Sequence, residues 1–115
     1  MIERPLVSIV TPTLNQGDFI EDTLRSVREQ TYDAIEHIVV DGGSTDRTTA
    51  ILKEHAVAGR LTWTSGPDTG MYDAVNRGLA RSRGDILAYL NSDDLLLAWA
   101  VQAVVDRSSG SPCFT

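Results

Sequence analysis

Apolar positions along the chain alternate between two rhythms. Short β-branched runs are separated by longer stretches where apolar residues recur at every third or fourth position, and the order reads strand then helix, four times over. Leu6 to Val10 is the first strand, closed by Thr11-Pro12 because proline lacks the amide that strand pairing needs. Asp18, with Glu21 at capping-box spacing, predicts the start of a helix that presents Ile20, Leu24 and Val27 on one face and runs to Gln30. Ile35 to Val40 is the second strand, stopped by Asp41-Gly42-Gly43-Ser44; Asp46 then caps a helix carrying Ile51 and Leu52, which Gly59 ends. Leu61 to Thr64 is a short third strand, and Met71, Val75 and Leu79 stripe a third helix that stops near Gly84. Ile86 to Leu90 is apolar on both faces, the pattern of a central parallel strand, and Leu97 to Arg107 forms a last helix.

This alternation predicts an α/β fold: a parallel sheet with helices on both faces and right-handed crossovers. No internal repeat or linker interrupts it before Ser108, and residues 108–115 read as a flexible tail. Ligands of such sheets bind beyond the carboxyl ends of the strands. There this chain places Thr11-Pro12-Thr13-Leu14-Asn15, Asp41 to Asp46, Ser65 to Gly70, and Asn91-Ser92-Asp93-Asp94, four loops of small, polar or acidic residues.

Composition narrows the partners. The 115 residues suffice for one hydrophobic core, and 42% apolar with 23% charged residues describes a chain that folds. A net charge of −6 has the wrong sign for nucleic acid or an anionic lipid surface. The single Cys113 rules out an internal disulfide and a zinc knuckle, and has no basic neighbour except Arg107 to make it a nucleophile. No basic segment followed by an apolar run opens the sequence, and its longest nearly apolar stretch, Leu95 to Val105, is about half a membrane span. The expectation is a cytoplasmic protein without a transmembrane segment.

Two places in the loops bear on chemistry. Asp93 and Asp94 follow an apolar strand directly, and adjacent carboxylates suit a hard divalent cation, which takes one or two protein oxygens and fills its remaining positions with water and phosphate. The plainer alternative is that Ser92 or Asp94 caps the last helix. Asp41 ends an apolar strand before two glycines that permit close backbone approach; it either accepts a hydrogen bond from a base or ribose or belongs to an ordinary glycine turn. Neither the dinucleotide fingerprint nor the P-loop occurs, so phosphate binding falls to a metal. His37 reads as a packed strand histidine, His55 as a dipole-favoured residue in the last turn of a helix, and Trp63 and Trp99 as core or interface side chains.

Taken together, Val7 to Asn15, His37 to Asp46, and Gly84 to Asp94, in this order and spacing, resemble a family 2 glycosyltransferase. Ser65 to Gly78 further resembles the bacterial branch that builds surface and exopolysaccharides. The resemblance implies a Rossmann-like GT-A fold, a nucleotide-diphosphate sugar donor, a divalent cation (Mg²⁺ or Mn²⁺), and a sugar or lipid-linked acceptor, with the whole protein working at the inner face of the cytoplasmic membrane. Position by position it implies that Pro12, Thr13 and Asn15 line the nucleotide pocket and that Asp41 bonds the base. It likewise implies that Ser92 lies beside the ribose, that Asp93 ligates the metal, and that Asp68 and Asn76 approach the donor. Asn91 stands where the D-x-D motif more often has its first aspartate.

The resemblance covers the first half of the family's catalytic domain, so residues 1–115 are expected to be a truncated, donor-binding portion that lacks the acceptor side. No catalytic residue is identified within it; the general base is expected beyond Thr115. Self-association through the uncovered Leu95 to Val101 run is expected as well. A non-catalytic nucleotide-binding fragment or an inactive remnant is the alternative. A phospho-acceptor receiver domain, which has the same β/α alternation, needs an acidic cluster after the first strand and a lysine after a late one; here Thr-Pro-Thr ends the first strand and Lys53 is the only lysine.

Overall fold

The computed structural model of the chain describes residues 4–58, 61–67 and 70–110. Its elements are β1 (Val7–Thr13), α1 (Ile20–Arg28), β2 (Ile35–Asp41), α2 (Thr48–Ala58), β3 (Leu61–Ser65), α3 (Met71–Arg81), β4 (Ile86–Tyr89) and α4 (Ala100–Gly110). The four strands form one parallel sheet in the order β3-β2-β1-β4. Helices cover both faces, as expected. Ile9 and Val39 point to the side packed by α1, α2 and α4, whereas Val10 and Ile38 point to α3. The helix end expected at Gly59, the site residue Asp68 and Cys113 lie outside the described residues. So does Thr115, and the general base expected beyond it therefore has no counterpart in the structure.

Several boundaries differ from the sequence expectation, each for a physical reason. β1 runs through Pro12 to Thr13 instead of stopping at Thr11-Pro12. Residues alternate sides along a strand: the Val10 carbonyl is bonded by Leu90 on the β4 side, and the Thr13 carbonyl by Gly42 on the β2 side. The nitrogen of Pro12 therefore faces β4, whose pairing with β1 has already ended at Tyr89, and the missing donor breaks no bond.

Asp18 does not cap α1. Phe19 occupies that position without a side-chain bond, the Gln16 carbonyl takes the Phe19 and Ile20 amides, and Asp18 pairs with Arg47 at 2.8 Å. The expected cap by Asp46 is present, its Oδ1 accepting the Thr48 amide at 2.9 Å.

β4 is an edge strand of the described sheet, not a central one; Leu87 and Tyr89 are about half exposed. The central strands are β1 and β2, buried at every position although they contain Ser8, Thr11, Thr13, Glu36, His37 and Asp41. The last helix starts at Ala100, not Leu97. The turn before it is not α-helical: the Leu97 carbonyl accepts from the Ala100 amide and Gln30 Nε2, the Val101 amide that would reach it in an α-helix goes to Gln30 Oε1, and the Ala98 carbonyl accepts from the Thr31 amide. At its other end α4 continues to Gly110, so residues 108–110, expected in a flexible tail, are helical. Docking of Val101 and Val105 in the core nucleates the helix, and each further residue then adds one bond at little cost.

Helix α3 lies close to β1 because its inner face is small, Ala74 and Gly78 being its buried residues. A Cβ added at Gly78 would overlap Val10 Cγ1, in a side chain with no exposure. Overpacking costs about 1–3 kcal/mol, more than the ~1 kcal/mol that alanine gains over glycine within a helix. Gly78→Ala is therefore expected to destabilise the fold by up to about 2 kcal/mol, read as a lower urea midpoint; a raised midpoint would mean that α3 lifts freely from the sheet.

Candidate functional site

Three strands finish in register at one end of the sheet, with Thr13 beside Asp41 and Asp41 beside Ser65. The loops that follow β1 and β2 are fastened together. Asn15, the one described non-glycine residue with positive φ (53°), turns its amide oxygen to the Thr45 and Asp46 amides at 2.8 and 3.3 Å, while its own amide donates to Ser44 Oγ. Asparagine tolerates this left-handed backbone better than most residues do. Two further ties follow, Gln16 N–H to Thr48 Oγ1 at 3.1 Å and Gly17 N–H to Asp46 Oδ2 at 2.9 Å. A Cβ at position 17 would lie 2.8 Å from Arg47 Cγ and 2.9 Å from Asp46 Oδ2, so any larger residue there would displace these two side chains. The Thr48 hydroxyl first, then the Thr48 and Gly17 amides, hold the Asp46 carboxyl below its ordinary range, so Asp46 is a charged brace of these loops.

Asp41 is 1% exposed and its carboxylate organises the ends of β2 and β3. Oδ2 accepts from the amides of Gly43 (3.2 Å) and Ser44 (2.8 Å) and from Ser65 Oγ (2.7 Å); Oδ1 accepts from Ser44 Oγ. Oδ2 is fully used, whereas Oδ1 keeps one acceptor position. Beside it, Thr13 Oγ1 is the one buried side-chain polar atom among the described residues that has no hydrogen-bond partner. An unpaired buried hydroxyl costs free energy, and such exceptions call for an explanation.

Deeper on the same face, Thr11 Oγ1 and His37 Nε2 are 2.8 Å apart. Burial lowers the His37 pKa from 6.5 to about 4, so the ring is neutral at physiological pH, a packed strand histidine as expected. His55 lies between the Arg28 guanidinium (3.4 Å) and Glu21 (3.3 Å) at the α1–α2 contact, and Trp63 packs on Ile20, Leu24, Val39 and Leu52.

The acidic loop after β4 opens at the same end of the sheet. The Asn91 carbonyl accepts the Asp94 amide at 3.1 Å, closing a turn that buries Ser92 and exposes Asp93 and Asp94. Neither aspartate caps α4, which begins at Ala100. Helix α1 holds this loop from below: the Thr23 hydroxyl is shared between the Ser92 carbonyl (2.9 Å) and the Asp94 carbonyl (2.7 Å). Gln30 bonds the Leu97 carbonyl and the Val101 amide. Sequence reasoning missed Thr23, Ser26, Gln30 and Ser65. For Thr23 a signal existed, a polar residue on the apolar stripe between Ile20 and Val27.

Thr13, Asn15 and Asp41 are thus gathered directly, and the 91–94 turn stands at the same sheet end. Pro12 is buried on the opposite face of β1, and Asn76 is exposed on the side of α3 away from Ala74 and Gly78. Arg77, paired with Asp73 at 3.0 Å, donates to the Pro67 carbonyl and so ties α3 to the loop after β3.

No group of three metal-binding side chains occurs among the described residues. The donor set nevertheless fits Mg²⁺ or Mn²⁺, which take one or two carboxylates and complete their shell with water and phosphate: Asp93 offers a solvent-facing carboxylate with no ion pair among the described residues.

The sequence profile described as "Glycosyl transferase family 2" matches residues 8–110. The chain belongs to glycosyl transferase family 2. A similar relative is an uncharacterized glycosyltransferase of Mycobacterium tuberculosis, Rv1514c, 43% identical in a 110-residue alignment that covers 90% of this chain and 42% of the relative. Another is TuaG of Bacillus subtilis, a putative teichuronic acid biosynthesis glycosyltransferase, 39% identical over 79% of this chain and 37% of its own length. Among solved structures, the mannosyltransferase PcManGT of Pyrobaculum calidifontis, in complex with GDP-Man and Mn²⁺, superposes with a TM-score of 0.83 at 30% identity. That match covers 95% of this chain and 33% of PcManGT, so the chain spans about two fifths or less of the length of these proteins. The Rossmann-like GT-A architecture implied by the motifs is the one found. No helix among the described residues is long and apolar enough to cross a membrane.

Proposed function

We propose that this chain, residues 1–115, is the donor-binding portion of a glycosyltransferase that takes a nucleotide-diphosphate sugar across the carboxyl ends of β1, β2 and β4. The carrying observation is the pairing, at one end of the sheet, of a buried hydroxyl, Thr13, and a fixed loop that presents a carboxylate, Asp93, the first without a hydrogen-bond partner and the second without a counter-ion among the described residues. The nucleotide lies over Thr13 at the end of β1, with Pro12 backing that floor from the opposite face of the strand and Asn15 maintaining its shape by joining two loops. Asp41 Oδ1 accepts from the base, Ser92 sits beside the ribose, and Asp68 and Asn76 approach the donor from the β3–α3 side. Asp93 holds Mg²⁺ or Mn²⁺, and the bound cation supplies neutralisation of charge on the departing diphosphate. The Mn²⁺ and GDP-Man of PcManGT support both halves of this reading.

Transfer requires an acceptor hydroxyl to attack the anomeric carbon while a base takes its proton, a contribution of roughly 10²- to 10⁴-fold. None of the residues gathered at the site is assigned that role, which this reading gives to a carboxylate of the whole enzyme beyond Thr115. Similarity to a putative teichuronic acid enzyme supports a sugar or lipid-linked acceptor in surface polysaccharide synthesis on the cytoplasmic side of the membrane. The exposed edge of β4 and the segment after it, with Leu87, Tyr89, Leu95, Leu97 and Trp99 about half exposed or more, is where the remainder of a catalytic domain packs; uncovered, it drives self-association.

The test is calorimetric titration of the 115-residue chain with UDP and GDP, in Mn²⁺ and in EDTA. Mn²⁺ is expected to tighten the preferred nucleotide at least about tenfold, ~1.4 kcal/mol, and Asp93→Ala to remove that gain. Equal affinity in EDTA refutes the metal assignment, and absence of binding by any nucleoside diphosphate refutes the donor site.

A further inference from the structure

We propose that Thr23, in the second turn of α1, is a positioning residue for the Asp93 carboxylate and thereby sets the affinity of the cation site. The inference rests on the reading of Asp93 as the metal-holding side chain. Thr23 has no exposure and lies on the stripe that carries Ile20, Leu24 and Val27 into the core, where a valine of the same shape would pack equally well. What the threonine adds is its hydroxyl, which is spent on the Ser92 carbonyl at 2.9 Å and the Asp94 carbonyl at 2.7 Å. The first carbonyl belongs to the peptide that enters Asp93 and the second to the peptide that leaves Asp94, so the two bonds bracket the Asp93–Asp94 segment.

The Asp93 side chain is exposed and has no partner of its own among the described residues, so its direction follows from the backbone that bears it. That backbone is held at one end by β4 and the Leu90 amide on the Val10 carbonyl, and beyond the turn by Ser26 on the Leu96 amide at 3.2 Å. Between those anchors, Thr23 is the side chain among the described residues that bonds the Ser92 and Asp94 carbonyls, and so brackets the two-residue segment that begins with Asp93. Its own position is fixed because α1 is seated in the core by Ile20, Leu24 and Val27. A cation ligated by a single carboxylate loses affinity when that carboxylate must be ordered at the moment of binding, and removal of groups that orient a ligand typically weakens metal binding 10- to 100-fold.

Thr23→Val keeps the shape and deletes the donor; Thr23→Ser keeps the donor and deletes the methyl. Free Mn²⁺ is measured by electron paramagnetic resonance during titration of the 115-residue chain in saturating UDP or GDP, whichever the wild type prefers. Thr23→Val is expected to bind Mn²⁺ about tenfold more weakly, with nucleotide affinity in EDTA unchanged, and Thr23→Ser to restore wild-type affinity. In the Asp93→Ala background, Thr23→Val should cause no further loss, because nothing remains to be positioned. Thr23→Ala, which leaves room for water to satisfy the two carbonyls, is the substitute if Thr23→Val does not fold, with the same expectation. A folded Thr23→Val or Thr23→Ala chain with wild-type Mn²⁺ affinity overturns the proposal, as does an equal loss in the Asp93→Ala background. A wild-type chain that binds nucleotide but no Mn²⁺ overturns the assignment of Asp93 and this inference with it.

Discussion

Asp41→Ala is expected to cost about 3 kcal/mol of folding stability, whereas Asp41→Asn costs about 1 kcal/mol or less and weakens nucleotide binding instead. The difference follows from how the carboxylate is used. Alanine strands the amides of Gly43 and Ser44 and the Ser65 hydroxyl, three donors that now converge on Oδ2 in a nearly inaccessible place. Buried hydrogen bonds to a charged group contribute about 1.5–3 kcal/mol each, and water or rotation of Ser65 recovers part of the loss. Asparagine leaves an oxygen for those three donors and puts its NH₂ where Oδ1 was. Ser44 Oγ then rotates from donor to acceptor. A base N–H aimed at the same place meets a donor instead of an acceptor. Nucleoside diphosphate affinity should fall ten- to hundredfold, about 1.5–3 kcal/mol, while inorganic pyrophosphate affinity is unchanged. Chemical denaturation and calorimetry on the two variants separate these effects. If Asp41→Asn binds nucleotide as wild type does, the base is held elsewhere.

The second large effect is acid destabilisation through His37. Its folded pKa of about 4 lies below the ordinary 6.5 because the ring is buried between strands. Above pH 6.5 the histidine is neutral in both folded and unfolded chains and costs nothing. Between pH 6.5 and about 4 the unfolded chain binds a proton that the folded chain refuses, so stability falls as pH falls through this window and levels off below about 4. At about 1.4 kcal/mol per pH unit the loss amounts to roughly 3 kcal/mol. The control is the double variant Thr11→Val with His37→Leu, which replaces both members of the 2.8 Å contact with apolar groups and leaves no unpaired polar atom. Urea unfolding from pH 7.5 to 4 should show a shallower fall in this variant. Parallel curves for the two proteins would assign the acid sensitivity to carboxylates instead.

The expectation of a bond from Asp41 to the base was accessible from the sequence, but neither the stability cost of removing its carboxylate nor the acid effect of His37 was, although both residues stood out in it. Strand identity and order were legible because β-branched runs bounded by glycine, asparagine and proline leave few alternatives, and the parallel α/β class followed from that order. Site placement was legible for a related reason: loops at the carboxyl ends of a parallel sheet converge, so Thr13, Asp41 and the 91–94 turn had to share one end of the molecule. Family membership was carried by the same loops, His37 to Asp46 and Gly84 to Asp94 above all.

Boundaries and side-chain roles depended on partners distant in sequence. Pro12 stays within β1 because β4 happens to end opposite Val10; a strand longer at Tyr89 would have met the missing amide. Asp18 lost its cap role to a backbone carbonyl and an arginine 29 residues away. Leu97 to Trp99 have a helical sequence and no helix, since Gln30 and Thr31 take the carbonyls of Leu97 and Ala98. Ile86 to Leu90 reads as a central strand because apolarity records which side chains suit an interior, and it cannot record whether a neighbouring strand is present to supply one. Local sequence determines what a segment is able to form, through backbone preference and the spacing of apolar side chains. Which buried polar group pairs with which, and hence whether Asp41 is a brace, Thr13 an open hydroxyl or Thr23 a clamp, is decided only when hydrogen-bonding groups far apart along the chain are brought within about 3 Å of each other.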